Sequence, residues 1–420
     1  MTRAARLTAF RDVSVPVTPG YAAFPRQAEL TRDTVPELNF SIHSNLAAVE
    51  NDWRRFEQAA EGTPFQTFEW LSAWHRHIGA RNGIVPAIVI AHFSDGRVAF
   101  ILPLAIEPGR LVRRLCWLGQ ELCDYNAPLL ARDFSQRVAP AAFVALWRQI
   151  RIRMQSDPQF RHDWIEFEKM PQTVGVQINP FTHLGVRANA NSAHITLLGS
   201  DWETFYRAKR SSATRRRDRA KRKHIENFGE IRFLTAASPD DVRDTLQTLW
   251  QQKKRIFARK GIADIFARPG YHDFFLDFAT NPQSRHLAHV SRVDVGTTSA
   301  AVNFAIVFGD CYYHVLSSYC DGQLTHYGPG TLHLRELLGH AIAKGLQRFD
   351  FTIGDEPYKS EWCDLRIKLF DYSAAASWRG WPMSAASMTR RRLKRFIKQT
   401  PLIWRLVTRL RTTFGALAQS

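Results

Sequence analysis

Cysteine is scarce here, with five residues in 420, and no two of them stand as Cys-x-x-Cys. An odd count without metal-ligand spacing excludes a disulfide framework and a zinc site, and it fits a reducing compartment. No apolar run approaches the ~20 residues needed to cross a bilayer. The opening segment MTRAARLTAFRDVSVPVTPGYAAFPRQ has arginines but no apolar core of an export signal. A cytoplasmic protein is therefore expected, with residues 1–40 as a loose leader. Fifteen histidines include no HExxH and no cluster of ligands, so no metal is expected. There is no GxSxG elbow and no Walker A motif, which removes a serine nucleophile and nucleotide hydrolysis from the expected chemistry. Acidic residues are absent from 372 to the end of the chain.

That last gap shapes the charge. The chain carries a formal +18. Residues 201–228 hold ten Lys/Arg against four acids, and residues 372–420 hold ten Lys/Arg against none. Two local features supply nearly all the basicity, and the remainder is close to neutral. Length and a 45% hydrophobic content suffice for two medium cores.

One pattern occurs twice. VPAIVIAH (85–92), VAFILPLAI (98–106) and LVRRLCWLG (111–119) read as three strands, followed by a helix over about 135–154 and a strand at 163–168. HLAHVSRVDV (286–295), SAAVNFAIVF (299–308) and CYYHVLSSYC (311–320) repeat the meander, with a helix over 331–344 and a strand at 346–353. The spacing predicts a tandem duplication of one α/β unit: residues 41–200, residues 201–381, and a basic tail over 382–420. Two further helices are expected between the repeats, over 201–228 with Asp201 as its cap and over 238–261 with Ser238 as its cap.

The second repeat carries the chemistry. In HYGPGTLHLRELL a strand gives way to a Gly-Pro-Gly turn and then a helix. Gly328, Gly330, Thr331 and Leu332 could bring backbone N–H groups to a phosphate or pyrophosphate, and an ordinary left-handed turn reads the same way. The first repeat has no such turn: LLARDFSQRVAP lacks glycine, so a nucleotide is expected in the second repeat alone. Past the strand ending at Ile353, the stretch Gly354 to Trp362 places Asp355, Glu356 and Tyr358 as candidate proton carriers. Lys359 there could hold an anionic group or orient a carboxylate. The bland reading is a solvated turn with an Asp355–Lys359 ion pair. Asp350 alternates with Phe349 and Phe351 and could be a buried structural acid. Asp124, Tyr125 and Trp70 are candidates for an acceptor cleft between the repeats. Trp70 and Trp74, four apart, would also suit one helix in the core. The arginine-rich run 215–223 reads as a solvated helix or as an anion-binding arm. The tail 388–414 mixes basic and apolar residues, which suits either an anionic membrane surface or a helix docked on the protein.

HYGPGTLHLRELLGHAIAKGLQRFDFTIGDEPYKSEW (326–362) resembles the signature of the BioF2-like, CelD/BcsL-type acetyltransferase family within the GNAT superfamily. PFQTFEWLSAWHRHIG (64–79) and LCDYNAPLL (122–130) are similar to its upstream segments. Thr325 stands where the usual GNAT phosphate loop has Arg or Gln. The resemblance spans roughly 45–380. It implies a double GNAT-like α/β fold with mixed sheets plus the basic helices, shared with FemAB-type transferases. It also implies acetyl-CoA or another acyl-CoA as donor. On it, the expected activity is N-acyl transfer by direct attack of an amine on a thioester, and the expected acceptor is a small molecule or a glycan precursor of polysaccharide or envelope biosynthesis. Two other readings stay open: an aminoacyl-tRNA-dependent transferase that binds tRNA through the 209–223 helix, and a non-enzymatic accessory protein held at the inner membrane face by its tail.

Overall fold

The computed structural model describes residues 38–400. The leader up to residue 37 and the tail from residue 401 lie outside the described residues. Twelve strands form one mixed sheet. Six come from the first half: β1 (Asn39–His43), β2 (Val85–His92), β3 (Val98–Glu107), β4 (Arg114–Trp117), β5 (Trp164–Pro171) and β6 (Arg187–Leu197). Six come from the second: β7 (Ile231–Thr235), β8 (Ala288–Val295), β9 (Thr298–Phe308), β10 (Cys311–Tyr319), β11 (Arg348–Ile353) and β12 (Leu365–Ala375). A two-residue strand, Leu129–Leu130, pairs with β3 and brings the sheet to thirteen.

The order across the sheet is β1-β2-β3-β4-β5-β12-β6-β11-β10-β9-β8-β7. The arrangement is nearly palindromic, with one exchange. The last strand of the second half, β12, pairs antiparallel with β5, and the last strand of the first half, β6, pairs antiparallel with β11. The two exchanged strands also pair with each other, from Leu365 opposite Ile195 to Asp371 opposite Arg187. Neither half therefore completes its sheet without the other. The duplication reaches into details. The parallel pairs are β4 with β5 and β10 with β11. Both β5 and β11 carry a bulge at the same place: Glu168 and Lys169 face Asp371 alone, and Phe351 and Thr352 face His194 alone. In each, one residue is left-handed, Lys169 at φ +56° and Thr352 at φ +57°.

Period-two alternation explains why the sheet is covered on both faces. On β2, Ile88 and Ile90 join one core, and Ala87, Val89 and Ala91 join another. The first face is covered by α1 (Leu46–Glu57), α2 (Phe68–Trp74), and their counterparts between β7 and β8. The opposite face of the first half is covered by α3 (Pro140–Ser156), through Phe143, Trp147, Ile150 and Met154. Asn45 caps α1 by accepting from Ala47 N–H at 2.9 Å. Pro140 sits in the first turn of α3, where its missing N–H costs nothing, and the chain before it forms only a short turn, Phe134–Arg137.

The single helix expected over 201–228 is two: α4 (Trp202–Lys209) and α5 (Ser212–Glu226). Arg210 is extended and Ser211 Oγ accepts from Thr214 N–H at 3.2 Å, so a new cap starts α5. Basic composition alone carries no mark of that break. Next come α6 (Pro239–Lys260), capped by Ser238, and α7 (Tyr271–Thr280), which complete the first face. Across the sheet from them lies α8 (Pro329–Ala343), packing Leu334, Leu337, Leu338, Ala341 and Ile342 against the second half.

The last helix, α9 (Trp381–Gln399), is tied down by Arg391. Its guanidinium lies 2.6 Å from Glu166, 3.0 Å from Glu168 and 3.1 Å from Asp371. Glu166 also pairs with Arg114 at 2.5 Å. Arg391 thus holds the buried carboxylates of Glu166 on β5 and Asp371 on β12 together at the exchange, with the half-exposed Glu168 beside them. Removing one partner of a buried pair leaves uncompensated charge. Arg391→Met is expected to cost roughly 3 kcal/mol of unfolding free energy in urea denaturation; a loss below about 1 kcal/mol would mean the pairs are no stronger than surface ones.

Candidate active site

The strands β10 and β11 run parallel for three residue pairs and then part. Pairing ends with Tyr313 opposite Asp350, while β10 continues to Tyr319. The wedge between them is a cavity of about 300 Å³, walled by His314, Ser317 and Tyr319 of β10, by the start of α8, and by Tyr358. A second bulge lies in its wall: His314 and Val315 of β10 face Ala305 alone of β9. The extra residue of a bulge is left unpaired in the ladder.

The roof is the glycine turn. Gly328 sits at φ +72°, a conformation glycine adopts without strain. Pro329 has no N–H to pair, and no side chain caps this helix start. A Cβ on Gly330 would lie 3.3 Å from the Tyr319 ring, so a side chain there would press into the cavity wall. Gly328, Gly330 and Thr331 all line the cavity. Leu332 does not: it is buried among Ile225, Val293 and Leu324 on the far side of the helix. Thr325 also lines the cavity, its Oγ1 donating to the Cys320 carbonyl at 2.9 Å.

The corresponding place in the first half is filled. Trp117 at the end of β4, Phe167 on β5, Trp147 on α3 and Phe181 pack together, tilted or edge to face, with centroids 5.0 to 5.7 Å apart. All four are buried. Aromatic packing occupies the wedge that the second half keeps open.

The three candidate proton carriers are not equivalent. Tyr358 lines the cavity. The residue is 36% exposed, and local desolvation lifts its hydroxyl above the ordinary tyrosine value, with Glu356 and Cys363 adding, so it stays protonated at neutral pH. Glu356 pairs with Lys359 Nζ at 3.1 Å and its side chain is 55% exposed. Asp355 lies 3.3 Å from His194 Nε2 and 3.7 Å from Arg366, against β6 and β12. The exposed setting of the bland reading does not hold for Lys359, which turns inward and is buried. There its Nζ donates to the Ile353 carbonyl at 3.0 Å and the Thr352 carbonyl at 3.4 Å, beside Glu356. It orients a carboxylate and ties down the end of β11.

Of the residues expected in an acceptor cleft, Trp70 is enclosed. Phe274 and Phe278 of α7 meet it edge-on at 4.7 and 4.9 Å, and Phe65 at 5.5 Å, so it belongs to the core beside Trp74. Tyr125 is buried too, and its hydroxyl donates to both oxygens of Asp350, at 2.9 and 2.8 Å. This bond joins the loop after β4 to the strand β11, across the two halves. Asp350 Oδ1 also accepts from Thr352 N–H at 2.7 Å. That contact helps hold Thr352 left-handed, a strained state for a β-branched residue. Thr352 Oγ1 donates in turn to the His314 carbonyl at 3.3 Å, at the cavity wall. Asp124 is half-buried beside them. Desolvation raises its carboxyl, while Lys169, Thr352 and Lys359 pull it down.

Burial pushes Asp350 up to about 7, against the pull of Tyr125 and Thr352, and Asp124 adds to the rise. His314 and His333 are pushed down to about 3 by burial, so both cavity histidines are neutral. Sequence reasoning missed these histidines; the alternation of β10 was the available signal, since His314 falls on the face opposite Tyr313. It also passed over Lys253 of α6, pushed down to about 8 by burial, with Lys260 adding and Glu356 opposing. No motif marks it. Among the described residues, no group of three or more His, Cys, Asp or Glu could hold a metal.

Residues 212–360 match the family model described as an acetyltransferase (GNAT) domain. That match lies in the second half of the chain, where it marks an acetyltransferase-type domain and supports a transferase. The chain is also similar to the crystal structure of FemX, at 12% identity with a TM-score of 0.54, over 80% of this chain and 97% of that one. At that identity the likeness shows the fold. Weaker likenesses reach a tandem GNAT protein from the clavulanic acid biosynthesis pathway (12% identity, TM-score 0.44, 81% of this chain and 99% of that one) and L-PGS from Bacillus licheniformis (11%, 0.45, 81% and 96%). No curated protein matches the chain.

The Asp350 carboxyl gives a signed test. Its folded pKa is raised above the free value near 3.9, so its contribution to stability is full below that value and lost as pH rises through about 7. The stability of the native protein relative to Asp350→Asn should fall by roughly 2 kcal/mol between about pH 5 and about pH 8. Urea midpoints at the two pH values measure this. A difference that does not move with pH would place the proton elsewhere.

Proposed function

We propose that this protein is an acyl-CoA-dependent N-acyltransferase whose donor binds in the wedge between β10 and β11. One observation carries the reading. The open wedge, roofed by the glycine start of α8, lies inside the segment that matches the GNAT domain, and its counterpart in the first half is packed shut. A thioester donor would bring the activated acyl group. Gly328, Gly330 and the start of α8 would receive the pyrophosphate through backbone N–H groups. The unpaired backbone of the β10 bulge would face the acyl oxygen as charge develops on it. The acceptor amine, deprotonated, attacks the acyl carbon, the C–S bond breaks, and Tyr358 gives its proton to the departing sulfur. Asp124, half-buried beside Asp350 at the seam, is suited to take a proton from the amine; Glu356, held by Lys359, is the alternative base. The acceptor would be a small-molecule or glycan-precursor amine. Work in polysaccharide or envelope biosynthesis follows from the family resemblance alone.

A second reading, an aminoacyl-tRNA-dependent transferase, has one supporting observation. Arg216, Arg219, Lys221 and Lys223 of α5 form no ion pair among the described residues. α5 also reaches the glycine turn through His224 stacked on Tyr327 at 5.2 Å.

Isothermal titration with acetyl-CoA and with coenzyme A separates the two. Binding by the intact protein is expected, weakened at least roughly tenfold in Gly330→Trp, which fills the cavity while the melting temperature holds. Absence of binding to any acyl-CoA, together with salt-dependent binding of tRNA, would favour the second reading instead. Tyr358→Phe should lower kcat roughly a hundredfold with the donor Kd unchanged. An unchanged kcat would leave the tyrosine as part of the wall only.

A further inference from the structure

The helix α9 is mounted with its polar side inward. Ser384, Ser387 and Arg391 recur at three- and four-residue spacing and so share one face. That face is the docked one. Ser387 Oγ donates to Glu166 at 2.5 Å, Ser384 meets Ser373 at 3.1 Å, and Arg391 holds Glu166, Glu168 and Asp371. The opposite face carries Leu393 and Phe396, 57% and 59% exposed. Just before and at the helix start, Trp378 and Trp381 are 85% and 68% exposed, the two exposed tryptophans among the described residues. Of the large apolar side chains that the described residues expose, these four and Met383 fall within one stretch of nineteen residues. A helix that merely caps a core does the reverse and buries its apolar stripe.

The flanks identify what would cover this face. Arg390 and Arg392 border the apolar stripe on its two sides, and Lys394 and Arg395 lie beyond. None of the four forms an ion pair among the described residues. From residue 372 to the end of the chain there are ten Lys/Arg and no acid. An apolar stripe bounded by unpaired cations, with tryptophans at one end, complements an interface that is apolar beneath and anionic at its surface. We infer that α9 seats this protein on an anionic lipid surface, with Leu393, Phe396, Trp378 and Trp381 entering the headgroup region. The inference is independent of the acyl donor, because α9 lies on β5, β6 and β12 and none of its residues lines the cavity.

Flotation of the full chain with vesicles tests it, using phosphatidylcholine alone and an equimolar mixture with phosphatidylglycerol. The protein should float with the mixed vesicles and stay behind with the neutral ones. Leu393→Glu with Phe396→Glu should reduce recovery at least roughly tenfold, and Arg390→Glu with Arg392→Glu by a similar factor that shrinks as salt rises. Trp378→Ser, placed outside the helix, gives an independent reading and should weaken flotation without lowering the melting temperature. Wild-type recovery of the Leu393/Phe396 double variant would overturn the inference, and so would equal recovery on the two vesicles. A dimer that the same double variant dissociates, in a protein that does not float, would assign the face to a second copy of the chain and overturn it as well.

Discussion

A buried bond between Tyr125 and Asp350 is the contact on which the site depends. It spans the two halves, and it fixes β11 at the residue where that strand leaves β10. Everything beyond that point follows from the departure. The bulge at Phe351–Thr352 turns β11 away, Thr352 is held in a strained left-handed state, and Lys359 folds back to secure the carbonyls of Thr352 and Ile353. Strain of this kind persists where surrounding contacts over-determine it, and here a carboxylate, a lysine and a carbonyl of β10 all do so. The cost of burying Asp350 is the cost of keeping the wedge open.

The exchange of β6 and β12 explains how two similar halves come to differ without coming apart. Each half needs a strand from the other to finish its sheet, so the halves fold as one unit while their wedges remain free to diverge. The first half has closed its wedge with Trp117, Phe167, Trp147 and Phe181 and serves as a wall and anchor. It contributes Tyr125 and Asp124 to the seam. The second half keeps its wedge and its glycine turn. The asymmetry is one of side-chain volume on a shared backbone plan, and it leaves an open wedge in the second half where the first is packed.

Much of the duplication was legible in the chain, because strand alternation and helix periodicity are local signals. The strands of both meanders and the helix α8 lie within a few residues of where spacing put them. The exchange was not legible: Arg187–Leu197 and Leu365–Ala375 pair over long sequence distances, and nothing local records a partner. At the site, the Gly-Pro-Gly turn announced itself through residues that only a turn or a close approach requires. Trp70 did not, since an aromatic on a helix reads the same in a core and in a cleft until its neighbours are known. Lys359 was visible as a lysine near acids. Its inward turn depends on carbonyls freed by a bulge that the sequence does not mark. Asp350 stood out only by alternating with two phenylalanines, and its partner was 225 residues away.

The central claim is that the acyl donor occupies the second half only. Hydrogen–deuterium exchange of the full chain with and without coenzyme A tests it directly. Slower exchange is expected at Gly330 to Leu334 and along Tyr313 to Tyr319, with no change over residues 114–147. Protection centred on the first half, or none in either half at saturating coenzyme A, would contradict it.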